Sequence, residues 1–329
     1  MHTLRSTDLQ VVVNEEFGGE IRRITYRDTA ELLWLKESSF PVPARESMSY
    51  GSTLADWLSH YRGGWQGLMP NVGEDSEALG VSLPYHGDTS TSSWTVIEAE
   101  PARIVMEVAS RLPLRMRRTI ELDGTRPVLH VHEEIENLAG FPVPFLWGQH
   151  PAWNADAKTV VDLPAGDMTV RAVPGYDTPL NDIRPGSEAP WPWGLGKSGE
   201  RVDVSVVGGR PVERLLCVHG VSEGWAALRW EERGIGAAIR WDITTFPYVW
   251  IWTEIGGQGF PWYGAWKVVA VEPMCTPHGD GLAAAQARGE AFELAAYGSR
   301  STTLSVSVFP TAGKAVRGVS ADGRVTLTE

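Results

Sequence analysis

The chain has 329 residues, of which 43% are hydrophobic and 21% are charged. This composition is typical of a globular protein with a large buried core, and it argues against intrinsic disorder. The formal net charge of −12 disfavours nucleic-acid binding, because that function depends on clustered Lys and Arg side chains.

The opening segment MHTLRSTDLQ lacks the charged and then apolar pattern of a secretion signal. No stretch approaches the ~18 uninterrupted apolar residues of a membrane-spanning helix. Cys217 and Cys275 are too few for a disulfide framework, and neither has the CxxC spacing of a zinc or redox site. We therefore expect a soluble, cytoplasmic protein with two ordinary thiols, which binds neither nucleic acid nor membranes.

Short strand-like segments recur along the chain, separated by turn signals such as Asp123-Gly124. In the last of them Leu304, Val306 and Val308 alternate with polar residues, which is the period of a strand with one buried face. The predicted strands cover residues 9–13, 21–26, 103–110, 115–122, 128–136, 202–207, 225–230, 236–242, 248–254, 266–272 and 302–309.

Helical periodicity is confined to two segments, 52–60 and 281–287. Many short strands with few helices predict an all-β sandwich or barrel. No repeat or low-complexity linker divides the chain, so we expect one domain over residues 1–329.

Two long segments, 62–94 and 174–201, are polar, Gly-rich and aromatic. Because loops of this length are commonly functional, we expect both to shape the mouth of a cleft.

Three titratable side chains stand beside Pro or Gly at strand ends: His86 in LPYHGD, His150 in WGQHPAWN and Glu272 in VVAVEPMCTP. One carboxylate and two imidazoles can take a proton from one oxygen and give a proton to another, as general acid and base catalysis requires. The 15 Trp residues add aromatic faces on which sugar rings can stack. This combination indicates a sugar site capable of opening the ring.

These motifs resemble those of the aldose 1-epimerase (galactose mutarotase-like) family, and they occur in the family's order. His150 in WGQHPAWN is similar to the family's His-Pro-aromatic-Asn segment, Glu272 in AVEP to its late Glu-Pro, and His86 before Trp94 to its earlier His-Gly. The opening EEFGGEIRRITYRDTAELLW also resembles the first hairpin of the family. The resemblance covers almost the whole chain and implies a large β-sandwich with few short helices.

The resemblance implies interconversion of the α and β anomers of a free aldose. Glu272 would remove the proton of the C1 hydroxyl, and His150 would protonate the ring oxygen. His86 would hydrogen-bond the sugar or share the acid role. No metal or nucleotide cofactor is implied, because each step is a proton transfer at oxygen. The expected partner is a small-molecule sugar, bound by a monomer or a homodimer.

Further residues are candidates for binding the sugar. Asn71 lies where the family usually has an Arg, and residues 63–102 contain neither Lys nor Arg. The family's Asp-His motif is also missing, and Asp177 or Asp182 could replace its carboxylate. Trp262 and Tyr263 follow Pro in a Gly-rich loop, where stacking on a sugar and packing are equally open. The candidate sugar-binding residues are Asn71, Gln149, Asp177, Asp182, Trp262 and Tyr263.

The segment YVWIWTEIGGQGFPWYGAW is rich in aromatic residues. Trp250 and Trp252 lie two positions apart and therefore share one face of a strand. The simplest interpretation is that this face is the one turned toward the core, which makes packing the favoured role for the pair.

Two alternatives differ in class from an epimerase. The spacing Gly124-x5-His130-x-His132-x3-Glu136 places two imidazoles on one strand face, as in the first metal motif of cupins, although the second cupin motif is missing. The other alternative is a sugar-binding protein of the same fold without catalysis. The missing Arg and Asp of the family pattern make that alternative reasonable.

Overall fold

The computed structural model describes residues 1–36, 49 and 51–329. Within these residues the chain forms 28 strands and two short helices, in agreement with the predicted all-β class. Neither helix of this part of the chain has the length and hydrophobicity that crossing a bilayer requires. The helices are α1 (Thr53–His60) and α2 (Gly281–Arg288). The strands are β1 (His2–Arg5), β2 (Leu9–Asn14), β3 (Glu20–Tyr26), β4 (Ala30–Glu31), β5 (Trp65–Leu68), β6 (Ser76–Ala78), β7 (Val81–Leu83), β8 (Thr95–Glu100), β9 (Arg103–Ala109), β10 (Leu114–Leu122), β11 (Val128–Asn137), β12 (Val143–Phe145), β13 (Gly148–Asn154), β14 (Thr159–Asp162), β15 (Thr169–Ala172), β16 (Glu188–Pro190), β17 (Trp193–Leu195), β18 (Arg201–Asp203), β19 (Val206–Val207), β20 (Val212–His219), β21 (Trp225–Trp230), β22 (Ile235–Arg240), β23 (Tyr248–Ile255), β24 (Lys267–Met274), β25 (Phe292–Leu294), β26 (Ser299–Pro310), β27 (Val316–Val319) and β28 (Val325–Leu327).

Most of the described strands form two large sheets, which pack face to face as a sandwich. One sheet has eleven strands in the order β1-β2-β3-β5-β13-β24-β23-β20-β15-β16, with β4 paired to β3. The other has nine strands in the order β19-β14-β21-β22-β26-β11-β10-β9-β8. Neighbouring strands such as β13 and β24 run antiparallel, so successive side chains alternate between the two faces of each sheet.

The two faces of the eleven-stranded sheet pack against different apolar clusters. On β24, Val269 and Val271 belong to the core between the two sheets. Val268 and Ala270 belong to a second cluster on the opposite face. Because side chains alternate with a period of two, Glu272 continues the series of 268 and 270 and faces the second cluster.

This second cluster lies under α1, on the outer face of the eleven-stranded sheet. Trp57 and Tyr61 reach it from α1 and from the residue after the helix, and Trp252 reaches it from β23. The helix begins after Ser52, whose hydroxyl accepts a hydrogen bond from the Ala55 N–H at 3.3 Å. The sheet and the helix thus enclose a space lined by aromatic rings.

Segments with clear alternation are predicted well, whereas polar turns divide some of the expected strands. The predicted strand 302–309 is observed as β26, and the predicted helices correspond to α1 and α2. The predicted strand 202–207 is divided into β18 and β19. The cause is a local turn in which the N–H and hydroxyl of Ser205 bond to Asp203 Oδ1 at 3.0 and 2.6 Å.

Two strands buried on both faces, β13 and β20, lie where no strand is predicted, although the equally buried β21, β23 and β24 are predicted. β13 and β20 are covered almost completely, so they lack the alternation that marks a half-buried strand. The two long segments expected to be irregular also contain short strands, namely β5, β6 and β7 in 62–94, and β16 and β17 in 174–201.

Candidate active site

A cavity of about 220 Å³ lies between α1 and the outer face of the eleven-stranded sheet. The two long segments 62–94 and 174–201 contribute to its wall, as expected from the sequence. The titratable side chains that line it are His86, His150 and Glu272. The aromatic side chains that line it are Trp57, Tyr85, Tyr176, Trp250, Trp252 and Trp262.

Strand register brings His150 and Glu272 together. β13 pairs with β24 so that Ala152 lies opposite Ala270, and the same register sets His150 opposite Glu272. The Nε2 atom of His150 lies 3.6 Å from Glu272 Oε1, and the two side chains are 5% and 2% exposed. Backbone hydrogen bonds of the sheet therefore fix the distance between a buried base and a buried acid.

His86 reaches the same cavity from a turn. Its ring centroid lies 5.5 Å from that of His150, and its backbone has a positive φ of 60°. The next residue must be glycine, because a Cβ at Gly87 would lie 2.5 Å from the carbonyl oxygen of Met69. His86 Nδ1 accepts a hydrogen bond from the Gly73 N–H at 3.1 Å. Since Nδ1 is an acceptor, Nε2 carries the proton of the neutral ring.

Burial favours the uncharged forms of all three groups. It lowers the pKa of His150 to about 4. It also lowers the pKa of His86 well below the usual value, to which the neighbouring His150 contributes. Burial raises the pKa of Glu272 well above the ordinary value of a carboxyl. Burial thus favours a protonated carboxyl at Glu272, which can donate a proton, and neutral imidazoles, which can accept one.

Aromatic side chains from α1 hold the imidazoles in place. Trp57 stacks on Tyr61 with ring centroids 4.4 Å apart, and it meets His86 and His150 edge-on at 4.8 and 5.6 Å. The Tyr61 hydroxyl lies 3.3 Å from His150 Nδ1. Neither aromatic residue is predicted from the sequence, because the only signal for each is its position within or next to a predicted helix.

Asn71, a predicted sugar ligand, does not line the cavity. Its side chain is fully buried, and its Nδ2 donates hydrogen bonds to the carbonyls of Glu74 and Pro84 at 2.7 and 3.1 Å. Its Oδ1 accepts one from the Leu282 N–H at 2.8 Å. The structure thus corrects the expectation of a sugar contact, because Asn71 uses its amide to hold the turn before His86 against α2.

Gln149 also points away from the cavity, although it is the neighbour of His150. Its Nε2 donates to Glu133 Oε2 at 2.6 Å, and its Oε1 accepts from Trp65 Nε1 at 2.8 Å. Successive residues of a strand face opposite sides of the sheet. Gln149 therefore belongs to the core, which corrects its predicted role as a sugar ligand.

The two predicted carboxylates of segment 174–201 are engaged in ion pairs away from the cavity. Asp182 accepts two hydrogen bonds from Arg214, each of 2.7 Å, and a further one from Arg210. Asp177 accepts a hydrogen bond from Lys197 at 2.7 Å. Neither carboxylate lines the cavity, so the expected replacement for the family's Asp is not found in this pair.

Trp262 and Tyr263 have different environments, although they are adjacent. Trp262 lines the cavity, with its ring 5.5 Å from Trp252 and 4.3 Å from Trp266. Tyr263 is 49% exposed and its ring lies 6.3 Å from Phe260. Of the two, only Trp262 is in place to stack on a ligand of this cavity.

Trp250 and Trp252 are both buried, as expected for packing residues; Trp250 belongs to the main core cluster and Trp252 to the second cluster. Both line the cavity, and Trp250 lies opposite Glu272 in the strand register. Their spacing establishes that they share a face, but it does not tell which face. Tyr85 and Tyr176 also line the cavity without having been singled out by any sequence pattern.

The cupin-like histidines lie in the nine-stranded sheet, on β11. His132 is exposed and its Nδ1 lies 3.1 Å from Thr303 Oγ1. Glu136, from the same motif, accepts a hydrogen bond from Arg115 at 2.5 Å. Among the residues that the structure describes, no group of three or more His, Cys, Asp or Glu side chains could hold a metal ion.

Comparison with known proteins identifies the fold. No family model matches the chain, and no curated protein does. The Slr1438 protein from Synechocystis sp. PCC 6803 has a TM-score of 0.67 at 19% identity, covering 94% of this chain and 95% of that one. A candidate aldose 1-epimerase from Escherichia coli K12 has a TM-score of 0.64 at 17% identity, covering 94% and 98%. A galactose mutarotase-like protein from Lactobacillus casei has a TM-score of 0.64 at 17% identity, covering 94% and 100%.

These neighbours define the class of the protein as a galactose mutarotase-like β-sandwich, which is the fold that the sequence resemblance implies. The match extends over nearly the whole length of both chains in each case. At this level of identity the similarity establishes the fold alone. The function of the chain is therefore argued from its own cavity.

Proposed function

We propose that the protein interconverts the α and β anomers of a free aldose by acid and base catalysed ring opening. The observation that carries this proposal is the 3.6 Å contact between His150 Nε2 and Glu272 Oε1 inside a buried aromatic cavity. The contact supplies one proton donor and one proton acceptor side by side. The names of the structural neighbours, a candidate aldose 1-epimerase and a galactose mutarotase-like protein, support the same chemistry.

Opening a pyranose ring requires two proton transfers. The bond between C1 and the ring oxygen breaks, the ring oxygen gains a proton, and the C1 hydroxyl loses one to leave a free aldehyde. Rotation about the C1–C2 bond then presents the other face of the carbonyl. The reverse transfers close the ring as the other anomer, so the protein returns to its starting protonation state.

Burial supports a starting state in which the proton of the pair is on Glu272, because its pKa is raised and that of His150 is lowered. Glu272 would then donate to the ring oxygen, while His150 Nε2 accepts the proton of the C1 hydroxyl. The open-chain state leaves an imidazolium beside a carboxylate, and these opposite charges attract each other. The Tyr61 hydroxyl, 3.3 Å from His150 Nδ1, would orient the imidazole ring of His150. These roles are the reverse of those that the family resemblance implies.

His86 would bind the sugar rather than exchange a proton with it. Its Nδ1 already accepts a hydrogen bond from the Gly73 N–H, so the neutral ring has one proton to donate, at Nε2. A hydrogen bond from Nε2 to a sugar hydroxyl would place C1 and the ring oxygen against the pair of His150 and Glu272.

A sugar-binding protein without catalysis is the second candidate. Asn71, Asp177 and Asp182 do not line the cavity, so the replacements expected for the family's Arg and Asp are not supplied by these residues. Such a protein would bind an aldose saturably and leave the rate of anomer exchange unchanged.

Exchange NMR on a panel of free aldoses separates the two candidates. We expect the protein to accelerate the interconversion of α and β signals in proportion to its concentration, and to lose this effect in His150→Gln. The exposed His132→Gln variant is the matched control and should retain full activity. Saturable binding without acceleration for every sugar of the panel would overturn the epimerase proposal.

A further inference from the structure

The wall of the cavity away from the catalytic pair is almost wholly apolar. Beyond His86, His150 and Glu272, the described lining residues are the six aromatic residues named above and three leucines, Leu54, Leu58 and Leu215. Among these described lining residues there is no Asn, Gln, Ser, Thr, Asp, Lys or Arg. Apart from the hydroxyls of the two tyrosines and the indole N–H groups, the wall away from the catalytic pair therefore presents carbon atoms to a ligand, most of all at the three leucines.

One polar group of the aromatic residues is already used within the protein. The Trp250 indole N–H donates to the Thr276 carbonyl at 3.0 Å. This indole N–H is therefore directed to a protein partner rather than presented to a ligand.

This distribution has a direct consequence for a bound aldose. The acid, the base and His86 can serve the anomeric hydroxyl, the ring oxygen and one neighbouring hydroxyl. A hydroxyl that turns toward the three leucines gives up its hydrogen bonds to water without replacement, which is unfavourable. Hydrogen or a methyl group at the same position is stabilised by the apolar contact instead.

The size of the cavity limits what such an apolar substituent can be. Its volume of about 220 Å³ is below the ~300 to 1,000 Å³ of pockets that enclose drug-sized ligands. One sugar ring with small substituents fits this space better than a disaccharide or an aryl glycoside.

We propose that the substrate is a monosaccharide aldose in which at least one hydroxyl remote from C1 is replaced by hydrogen or carries a methyl group. This proposal rests on the aldose 1-epimerase function proposed above and specifies the substrate class of that function. The preference arises from the apolar wall, and the reacting pair is the same for every aldose.

The test compares matched sugars that differ at one oxygen. D-Galactose is paired with 6-deoxy-D-galactose, D-glucose with 6-deoxy-D-glucose and with 3-O-methyl-D-glucose, and D-mannose with 6-deoxy-D-mannose. We expect kcat/KM from exchange NMR to be about 10- to 100-fold higher for the deoxygenated or methylated sugar in at least one pair, the range that separates such substrates in apolar pockets. Equal or lower values in all four pairs would overturn the proposal.

Variants of residues in the cavity wall test whether this wall causes the substrate preference. Leu215 lies on β20 opposite Trp252, and Leu215→Ser places a hydrogen-bonding group there. Leu58→Gln does the same from α1 with a residue that favours helix. We expect either variant to reduce the preference within the favoured pair at least threefold, while the exposed Leu138→Ser leaves the preference unchanged. An unchanged preference in both wall variants would contradict the assigned cause.

Binding measurements keep this test separate from the test of catalysis. Saturation-transfer NMR on the same matched pairs gives the ratio of the two dissociation constants without requiring turnover. If no sugar is turned over but the deoxygenated or methylated sugars bind at least tenfold more tightly, catalysis is refuted and the apolar preference is supported. If parent sugars are turned over and bound as well as their partners, the apolar preference is refuted and catalysis is supported.

Discussion

Gln149 and His150 are neighbours on β13, yet their side chains enter opposite environments. Gln149 faces the core between the sheets, where its amide exchanges hydrogen bonds of 2.6 and 2.8 Å with Glu133 and Trp65. His150 faces the cavity, where its contacts with Tyr61 and Glu272 are longer, at 3.3 and 3.6 Å. The first site is saturated with hydrogen bonds, whereas the second leaves room for a ligand to complete it.

The two buried glutamates of these sites show the same contrast. Glu133 accepts hydrogen bonds from Arg118 Nε at 2.7 Å, Trp147 Nε1 at 2.9 Å and Gln149 Nε2 at 2.6 Å. Glu272 is 2% exposed and faces His150 at a distance too long for a strong hydrogen bond. The donors around Glu133 occupy its oxygens and fix the position of its carboxylate. A buried carboxyl without such donors keeps its proton and can deliver it to a substrate.

The largest expected effect is on catalysis, in Glu272→Gln. The amide keeps the shape of the side chain but cannot act as the acid, so we expect kcat to fall by about 10²- to 10⁴-fold. The affinity for the sugar should change little, because the amide has nearly the same shape and can still donate and accept hydrogen bonds. Exchange NMR and titration measure the two quantities, and Glu232→Gln at an exposed site is the control. A fully active Glu272→Gln protein would remove Glu272 from the mechanism.

The corresponding change in the core should affect folding instead. Glu133→Ala leaves the buried Arg118 guanidinium without its carboxylate, and we expect the free energy of unfolding to fall by about 3 to 5 kcal/mol. Glu272→Gln should leave this free energy unchanged or raise it. Urea unfolding of both variants measures the difference. Equal destabilisation by the two variants would contradict the contrast drawn between Glu133 in the core and Glu272 in the cavity.

A third carboxyl, Glu254, extends the comparison along the cavity side of the sheet. Burial and the facing Glu213 raise its pKa to about 9, and its Oε1 accepts a hydrogen bond from the Gly257 N–H at 3.0 Å. The folded chain therefore holds a proton that the unfolded chain releases above about pH 4.5, so wild-type stability declines as pH rises toward 9. Glu254→Gln removes this cost.

We expect Glu254→Gln to raise the free energy of unfolding by about 1 to 3 kcal/mol at pH 7. The gain should shrink at pH 5, where the unfolded carboxyl also begins to bind a proton. Urea unfolding at the two pH values measures it, with Glu232→Gln as the exposed control. A gain that is the same at both pH values would show that the protonation of Glu254 is not its cause.

The smallest expected effect is the pH dependence of catalysis. His150 must be neutral to accept a proton, and its pKa is lowered to about 4. We therefore expect kcat/KM to stay level from pH 7 to about 5 and to fall about tenfold per unit of pH below about 4. The opposite roles, with His150 as a cationic acid, predict a decline as pH rises above 4. Circular dichroism at each pH would separate loss of activity from unfolding.

Sequence patterns predict features that depend on local chemistry. The alternation of Leu304, Val306 and Val308 predicts a strand because one face of it is buried, and β26 is found there. Asp123-Gly124 predicts a turn, and it lies between β10 and β11, where the Asp123 N–H donates to the Val128 carbonyl at 2.9 Å. The all-β class follows from many such local signals together.

Features that depend on which face of a strand is buried could not be predicted. A shift of one residue moves a side chain to the other face of the sheet. This is why Gln149 lies in the core, contrary to the sequence interpretation, and why the buried Trp250 and Trp252 also line the cavity. Long-range contacts such as Tyr61 with His150, separated by 89 positions, leave no local signal in a single sequence.

The antiparallel pairing of β13 with β24 has an evolutionary consequence. The spacing of the acid and the base is set by the sheet, whereas the contacts with the rest of a ligand come largely from α1 and from segments around Tyr85, Tyr176 and Trp262. Insertions or replacements in these connecting segments would alter ligand preference while the reactive geometry persists. Under the proposed function, the molecules that the cavity accepts could thus change while the geometry for proton transfer stays the same.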